Sequence, residues 1–192
     1  MACMNTSISR RILPCILFAG VMSVSVSLAQ GQTTPGAVPD PAIYETLKTF
    51  HGHECAGSLF GARLGLAAIQ KLKEAGGTGK FKARYYDLSC PVDGIQVAAG
   101  TTYGTRTLAV DDRDEHRLVL TAEGNKKQVE ARLTDKAEKA GLRSRELAKK
   151  ARSFPEGSSE RKRLEQEVEE IFSWLRTAPA IEVVTVALLP KR

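Results

Sequence analysis

The sequence predicts an α+β fold, with helices packed on a mostly antiparallel sheet and a charged C-terminal helical hairpin before a last strand. Three observations carry this. Several segments repeat apolar residues at helical spacing. Phe81–Tyr86 and the pair Arg117–Thr121 and Lys127–Leu133 read as strands, the pair joined by a Glu123-Gly124-Asn125 turn. Ile181–Leu189 is an apolar, β-branched run, expected as a buried strand.

The chain has 192 residues, enough for one ordinary domain after the N-terminus is set aside. Arg10 and Arg11 precede an apolar stretch from Ile12 to Ala29, interrupted by Pro14 and serines, and Ser27-Leu28-Ala29 offers small residues for cleavage. Residues 1–29 are therefore expected to be a secretory signal and not a membrane anchor. Ser9-Arg10-Arg11 is also a partial twin-arginine pattern, so the export route stays open. Residues 30–40 read as a flexible tether. Residues 41–192 read as a single domain with a helical insertion at about 134–177. The expected location is secreted or periplasmic, with no stable membrane span after cleavage.

Within the domain, Pro41–Phe50 reads as a helix capped by Asp40, with Ile43, Leu47 and Phe50 on one face. Ser58 to about Ala75 reads as a second helix, in which Gly61 and Gly65 share a face and permit close backbone approach. Phe81–Tyr86 alternates as a strand. Pro91 starts a short third helix closed by Gly100, and Tyr103–Val110 is a weaker strand candidate. Thr134–Arg152 and Ser159–Arg176 have strong helix composition, with Phe154-Pro155-Glu156-Gly157 between them.

The formal charge of +6 falls to +4 when Arg10 and Arg11 leave with the signal. In the helical pair, acids are interleaved with the bases, and no one-sided basic face with aromatics stands out. Nucleic acid is thus not the expected partner; a solvated hairpin or a protein-docking surface is. His116, in the charged run Asp111–Arg117, is expected at the surface.

The chemistry concentrates in Phe50-His51-Gly52-His53-Glu54-Cys55-Ala56-Gly57. Two of the three histidines lie here, with one of the two cysteines that remain once Cys3 and Cys15 are removed. The other, Cys90, lies in Ser89-Cys90-Pro91-Val92-Asp93. Both cysteines precede helices, whose unpaired amides and partial positive potential favour thiolates. Thiolates and neutral imidazoles suit zinc, copper and nickel. Asp93 can supply an oxygen ligand or accept from a histidine N–H. Two cysteines in an oxidising compartment also suit a disulfide or a thiol-redox pair, and a His-x-His can be an ordinary hydrogen-bonding pair.

These residues resemble the FmdE family, the FmdE-type component of formylmethanofuran dehydrogenase and its relatives. The resemblance lies in Phe50–Gly57, Gly61-Ala62-Arg63-Leu64-Gly65, Cys90-x-x-Asp93-Gly94-Ile95-Gln96 and Gly100-x-Thr102-Tyr103-Gly104, covering Pro41 to about Val110. It implies an α+β domain, often a homodimer, with a His/Cys-lined cavity associated with a divalent metal, for which zinc is expected here. By position, His53, Cys55 and Cys90 are the leading ligands, His51 and Asp93 follow, and Gln96 and Thr102 line the cavity. Ala56 replaces the family's usual proline, Thr101 a cysteine, and Thr105-Arg106-Thr107 a Lys-Gly-Asn. The charged helical pair stands where longer members carry a cysteine-rich tail. The alternatives to a metal-binding protein are a thiol-redox protein using Cys55 and Cys90, or an accessory protein that docks a redox or metal enzyme.

Overall fold

The computed structural model describes residues 39–190. The expected signal, and the tether up to residue 38, lie outside the described residues. The elements run α1 (Ala42–His51), α2 (Ala56–Glu74), β1 (Phe81–Tyr86), α3 (Pro91–Ala99), β2 (Leu108–Val110), β3 (Glu115–Ala122), β4 (Gln128–Leu133), α4 (Asp135–Ala151), α5 (Ser159–Thr177), α6 (Ala180–Val183) and β5 (Val184–Leu189).

The five strands form one sheet in the order β2-β1-β3-β4-β5. Only β1 and β2 are parallel, joined through α3; every other pair is antiparallel. Period-2 alternation sends Ala83 and Tyr85, then Leu118, Leu120 and Ala122, then Val129, Ala131 and Leu133 into the core. The opposite face carries charged residues such as Lys82, Arg84, Arg117 and Glu130. Helix α2 is the central helix of the core, with Leu59, Leu64, Ala68 and Leu72 fully buried.

Local chemistry sets the boundaries. The Asp40 carboxylate accepts from the Ala42 amide at 3.0 Å, and Gly52 ends α1 in the left-handed region at φ 84°. Thr134 and Ser158 accept from the Ala137 and Arg161 amides to cap α4 and α5. Arg63 is 2% exposed, and its guanidinium donates to the carbonyls of Arg176 at 3.0 Å and Ala178 at 2.5 Å. It thereby ties α2 to the C-terminus of α5, where the helix leaves carbonyls unpaired.

Three expectations need correction. Phe50 is 57% exposed, and the buried side of α1 runs through Tyr44 and Leu47 to His51. The span Tyr103–Thr107 is a turn held by the Thr102, Thr105 and Thr107 hydroxyls, with Arg106 at φ 57°, which leaves a three-residue β2. The last strand begins later, at Val184, because Pro179 opens the short α6. It also lies at a sheet edge: Val184 is buried but Leu188 is 51% exposed.

Candidate functional site

The site is built by α2 against α3. A Cβ on Gly61 would lie 1.9 Å from the Pro91 carbonyl oxygen, and one on Gly94 would lie 2.2 Å from that of Ser58. Only glycine permits this backbone contact, and it brings the starts of the two helices together. Cys55 caps α2, and Cys90 occupies the residue before α3.

Cys55 forms a capping box with Ser58: its sulfur accepts from the Ser58 amide at 3.3 Å, and its own amide donates to the Ser58 hydroxyl at 3.3 Å. His51, at the end of α1, reaches both neighbours. Its Nδ1 lies 2.6 Å from Asp93 Oδ2 and its Nε2 lies 3.6 Å from Cys55 Sγ. The His53 ring sits 4.7 Å from the His51 ring, centre to centre. One donor atom from each of His51, His53 and Cys55 lies within 4.8 Å of the others. Asp93 stands behind His51, and Cys90 lines the same cavity as Cys55. Both thiols are free.

The electrostatics separate the two cysteines, which were expected to behave alike. Burial pushes the Cys55 thiol up, but hydrogen bonds from the Ser58 amide and hydroxyl, Cys90 and His51 outweigh it and hold the thiol below its ordinary value. Cys90 is pushed above its ordinary value, first by burial and then by the neighbouring Cys55 thiolate. Its side chain makes no capping bond at α3, so the helix N-terminus gives it little help. The bond to Asp93 raises the His51 imidazole, against an opposing burial effect.

Beside this cluster lies a cavity of about 810 Å³. His53, Cys55, Cys90 and His116 line one side, and Leu142 and Phe172 of the helical pair line the other. Gln96 and Thr102 are not among its lining residues. Gln96 donates to Asp93 Oδ1 at 3.3 Å, and Thr102 braces the turn before β2. Thr101 is buried with its hydroxyl unpaired among the described residues. Glu54 is held by an ion pair to Arg176 at 2.5 Å, which ties the His/Cys loop to α5.

His116 is not the surface residue expected. It begins the inward parity of β3 that continues in Leu118 and Leu120, one residue upstream of the strand start read from the sequence. Its Nδ1 lies 2.9 Å from the Tyr85 hydroxyl and 3.4 Å from Asp87 Oδ2. The signal was present in that parity but was masked by the charged neighbours Asp114, Glu115 and Arg117.

The family profile described as FmdE, molybdenum formylmethanofuran dehydrogenase operon, matches residues 50–185. The chain belongs to the FmdE family. The crystal structure of a tungsten formylmethanofuran dehydrogenase FmdE-like protein from Syntrophus aciditrophicus matches with a TM-score of 0.54. At 20% identity over 79% of this chain and 72% of that one, the likeness is one of fold. No curated protein matches the chain. The FmdE match spans both the His/Cys loop and the helical pair, so the cavity of this member is formed wholly within the matched region. No helix among the described residues is long and apolar enough to cross a membrane.

Proposed function

We propose that this FmdE-family chain is an exported metal-binding protein that holds a divalent metal, zinc, through His51, His53 and Cys55, with Cys90 beside them as the fourth protein ligand. The observation that carries this reading is the cluster itself. For bond lengths of about 2.3 Å to sulfur and 2.0 Å to nitrogen, tetrahedral coordination separates the two donors by about 3.5 Å. The 3.6 Å between Cys55 Sγ and His51 Nε2 fits that separation. Asp93 supports it again: a carboxylate on Nδ1 fixes the tautomer that frees Nε2 for a metal. Asp93 is then an orienting group and not a ligand.

A zinc held by these four ligands would close a tetrahedral site and would supply a structural centre with thiolates held ionised. The chain itself supplies a thiolate stabilised by Ser58, an imidazole oriented by Asp93, and a cavity next to both. The apolar stretch Ile12–Ala29 supports export. The family's link to a dehydrogenase operon supports an enzyme partner, and the resemblance supports a homodimer, which sedimentation would size.

Elemental analysis of the purified protein tests the metal. About one zinc per chain is expected, lost in Cys55→Ser and His51→Ala. Unchanged metal in both variants would sink the reading. A second reading, thiol redox, is favoured by one observation: Cys55 and Cys90 are free, adjacent and unequal in acidity. It expects a reversible loss of two hydrogens in mass when an added oxidant takes two electrons from the thiols, and no metal.

A further inference from the structure

The helical pair carries six arginines, and acids divide them into two groups. Arg143, Arg161, Arg163 and Arg176 each pair with a glutamate. Arg145 and Arg152 pair with no acid among the described residues, and they are the two that line the cavity beside the His/Cys cluster. Among the arginines of this hairpin, pairing is therefore missing only where a ligand has room to enter.

Arg145, Ala148 and Arg152 fall on one stripe of α4, at i, i+3 and i+7. The Arg152 side chain is anchored, because its Nε donates to the Ala148 carbonyl at 3.2 Å. Its terminal amino groups keep their donors unpaired among the described residues. Ser144 and Ala148 are small, so the wall between the two guanidiniums is hollow.

The acids of the cavity lie elsewhere. Glu54 is taken by Arg176. Glu138 stands in the first turn of α4, where its charge adds to burial and to Asp87 in raising the Tyr85 phenol. It precedes Arg145 by seven residues, about 10 Å along the helix axis. Asp114 sits just before β3. The cavity is thus negative towards the sheet and positive along the C-terminal half of α4. Beside the positive stretch the wall is apolar: Leu142 and Phe172 line it, and Leu142 is left 57% exposed. A guanidinium fork matches the two oxygens of a carboxylate, and about 810 Å³ is the size of a small-molecule site.

We propose that this cavity binds a small organic carboxylate with an apolar body, its anionic end on Arg145 and Arg152 and its body against Leu142 and Phe172. Inorganic phosphate has the charge but no body for the apolar wall. A neutral alcohol has the body but no charge for the arginines. The assignment goes beyond the metal reading and holds whether or not the His/Cys cluster is loaded.

The test titrates the full chain, as purified, with octanoate, octanol, acetate and inorganic phosphate in a calorimeter. About one octanoate per chain should bind, more weakly as ionic strength rises. Octanol should bind about 10-fold more weakly for want of the charge-assisted bonds, and acetate about 100-fold more weakly for want of the chain. Arg145→Gln and Arg152→Gln should each lose about 10-fold in octanoate affinity, while Arg143→Gln, which removes an outward charge, should lose nothing. Octanol or phosphate binding as tightly as octanoate, uptake of several octanoates per chain, or unchanged affinity in both cavity variants would each overturn the assignment. Octanoate affinity lost in Cys55→Ser and His51→Ala but kept in Arg145→Gln and Arg152→Gln would also overturn it, by placing the carboxylate on a metal. A chain that holds no zinc yet binds octanoate through the two arginines would sink the metal reading and leave this one standing.

Discussion

Gly61→Ala should damage the site without touching any of its side chains. The new Cβ would lie 1.9 Å from the Pro91 oxygen and 2.7 Å from its carbonyl carbon. Observed Cβ contacts essentially never fall below 3.0 Å, so α3 must retreat by about 1 Å. The obstacle is backbone, which cannot rotate away as a side chain would. Overpacking of this kind costs about 1–3 kcal/mol, and a backbone collision belongs at about 3 kcal/mol. Asp93 and Cys90 ride on α3, while His51 and Cys55 ride on α1 and at the start of α2. A 1 Å retreat would stretch the 2.6 Å His51–Asp93 bond beyond useful hydrogen-bonding range. Urea unfolding and zinc titration on the same variant check both halves. A variant within about 0.5 kcal/mol of the parent, with unchanged zinc affinity, would refute the claim that backbone contact between these helices assembles the site.

Two further outcomes follow from buried or titrating groups. Arg63→Met should lose about 3 kcal/mol in urea unfolding, because it strips the donors from the Arg176 and Ala178 carbonyls at the end of α5; a loss under about 1 kcal/mol would show that water replaces them. In the metal-free protein, the folded His51 imidazole titrates above its unfolded value of about 6.5 because Asp93 holds its protonated form. Its stabilising contribution is therefore complete below the unfolded value and lost as pH rises through the folded one. Asp93→Asn should remove that pH dependence, and an unchanged stability–pH slope would rule out the His51–Asp93 bond as its source.

Elements whose chemistry is local were readable from the chain. Phe81–Tyr86 occupies its expected span because alternation and flanking turns agree there. Asp40, Pro91 and Gly100 bracket their helices as their backbone preferences require. The misreadings arise where tertiary contact decides. Phe50 and Tyr44 both fit an amphipathic α1, and packing against α2 and α3 selects Tyr44 and so turns His51 inward. Cys55 and Cys90 both precede helices, yet only Cys55 turns its sulfur back to an amide. That difference in side-chain rotation leaves no mark in sequence, and it reverses the expected acidity of Cys90.

The helical pair shows the same limit from the opposite side. Its composition reads as solvated, and its outer surface is: Arg161–Glu165 and Arg143–Glu167 are exposed pairs worth little each. Its inner surface is not. Gly141 faces Phe60 so closely that a Cβ there would lie 2.3 Å from the ring. Leu142 and Phe172 close the cavity opposite Cys55 and Cys90. Leu147, Ala151 and Leu164 give the pair a small core of its own, while Leu175 and Ala178 belong to the main one. Arg176 then links α5 to Glu54, the residue between His53 and Cys55. The helical pair is therefore structurally continuous with the His/Cys loop: it forms the cavity's far wall and anchors the loop that carries the ligand candidates. A charged helix pair beside a compact motif can look detachable in sequence, because the few residues that attach it are outnumbered by those that face water.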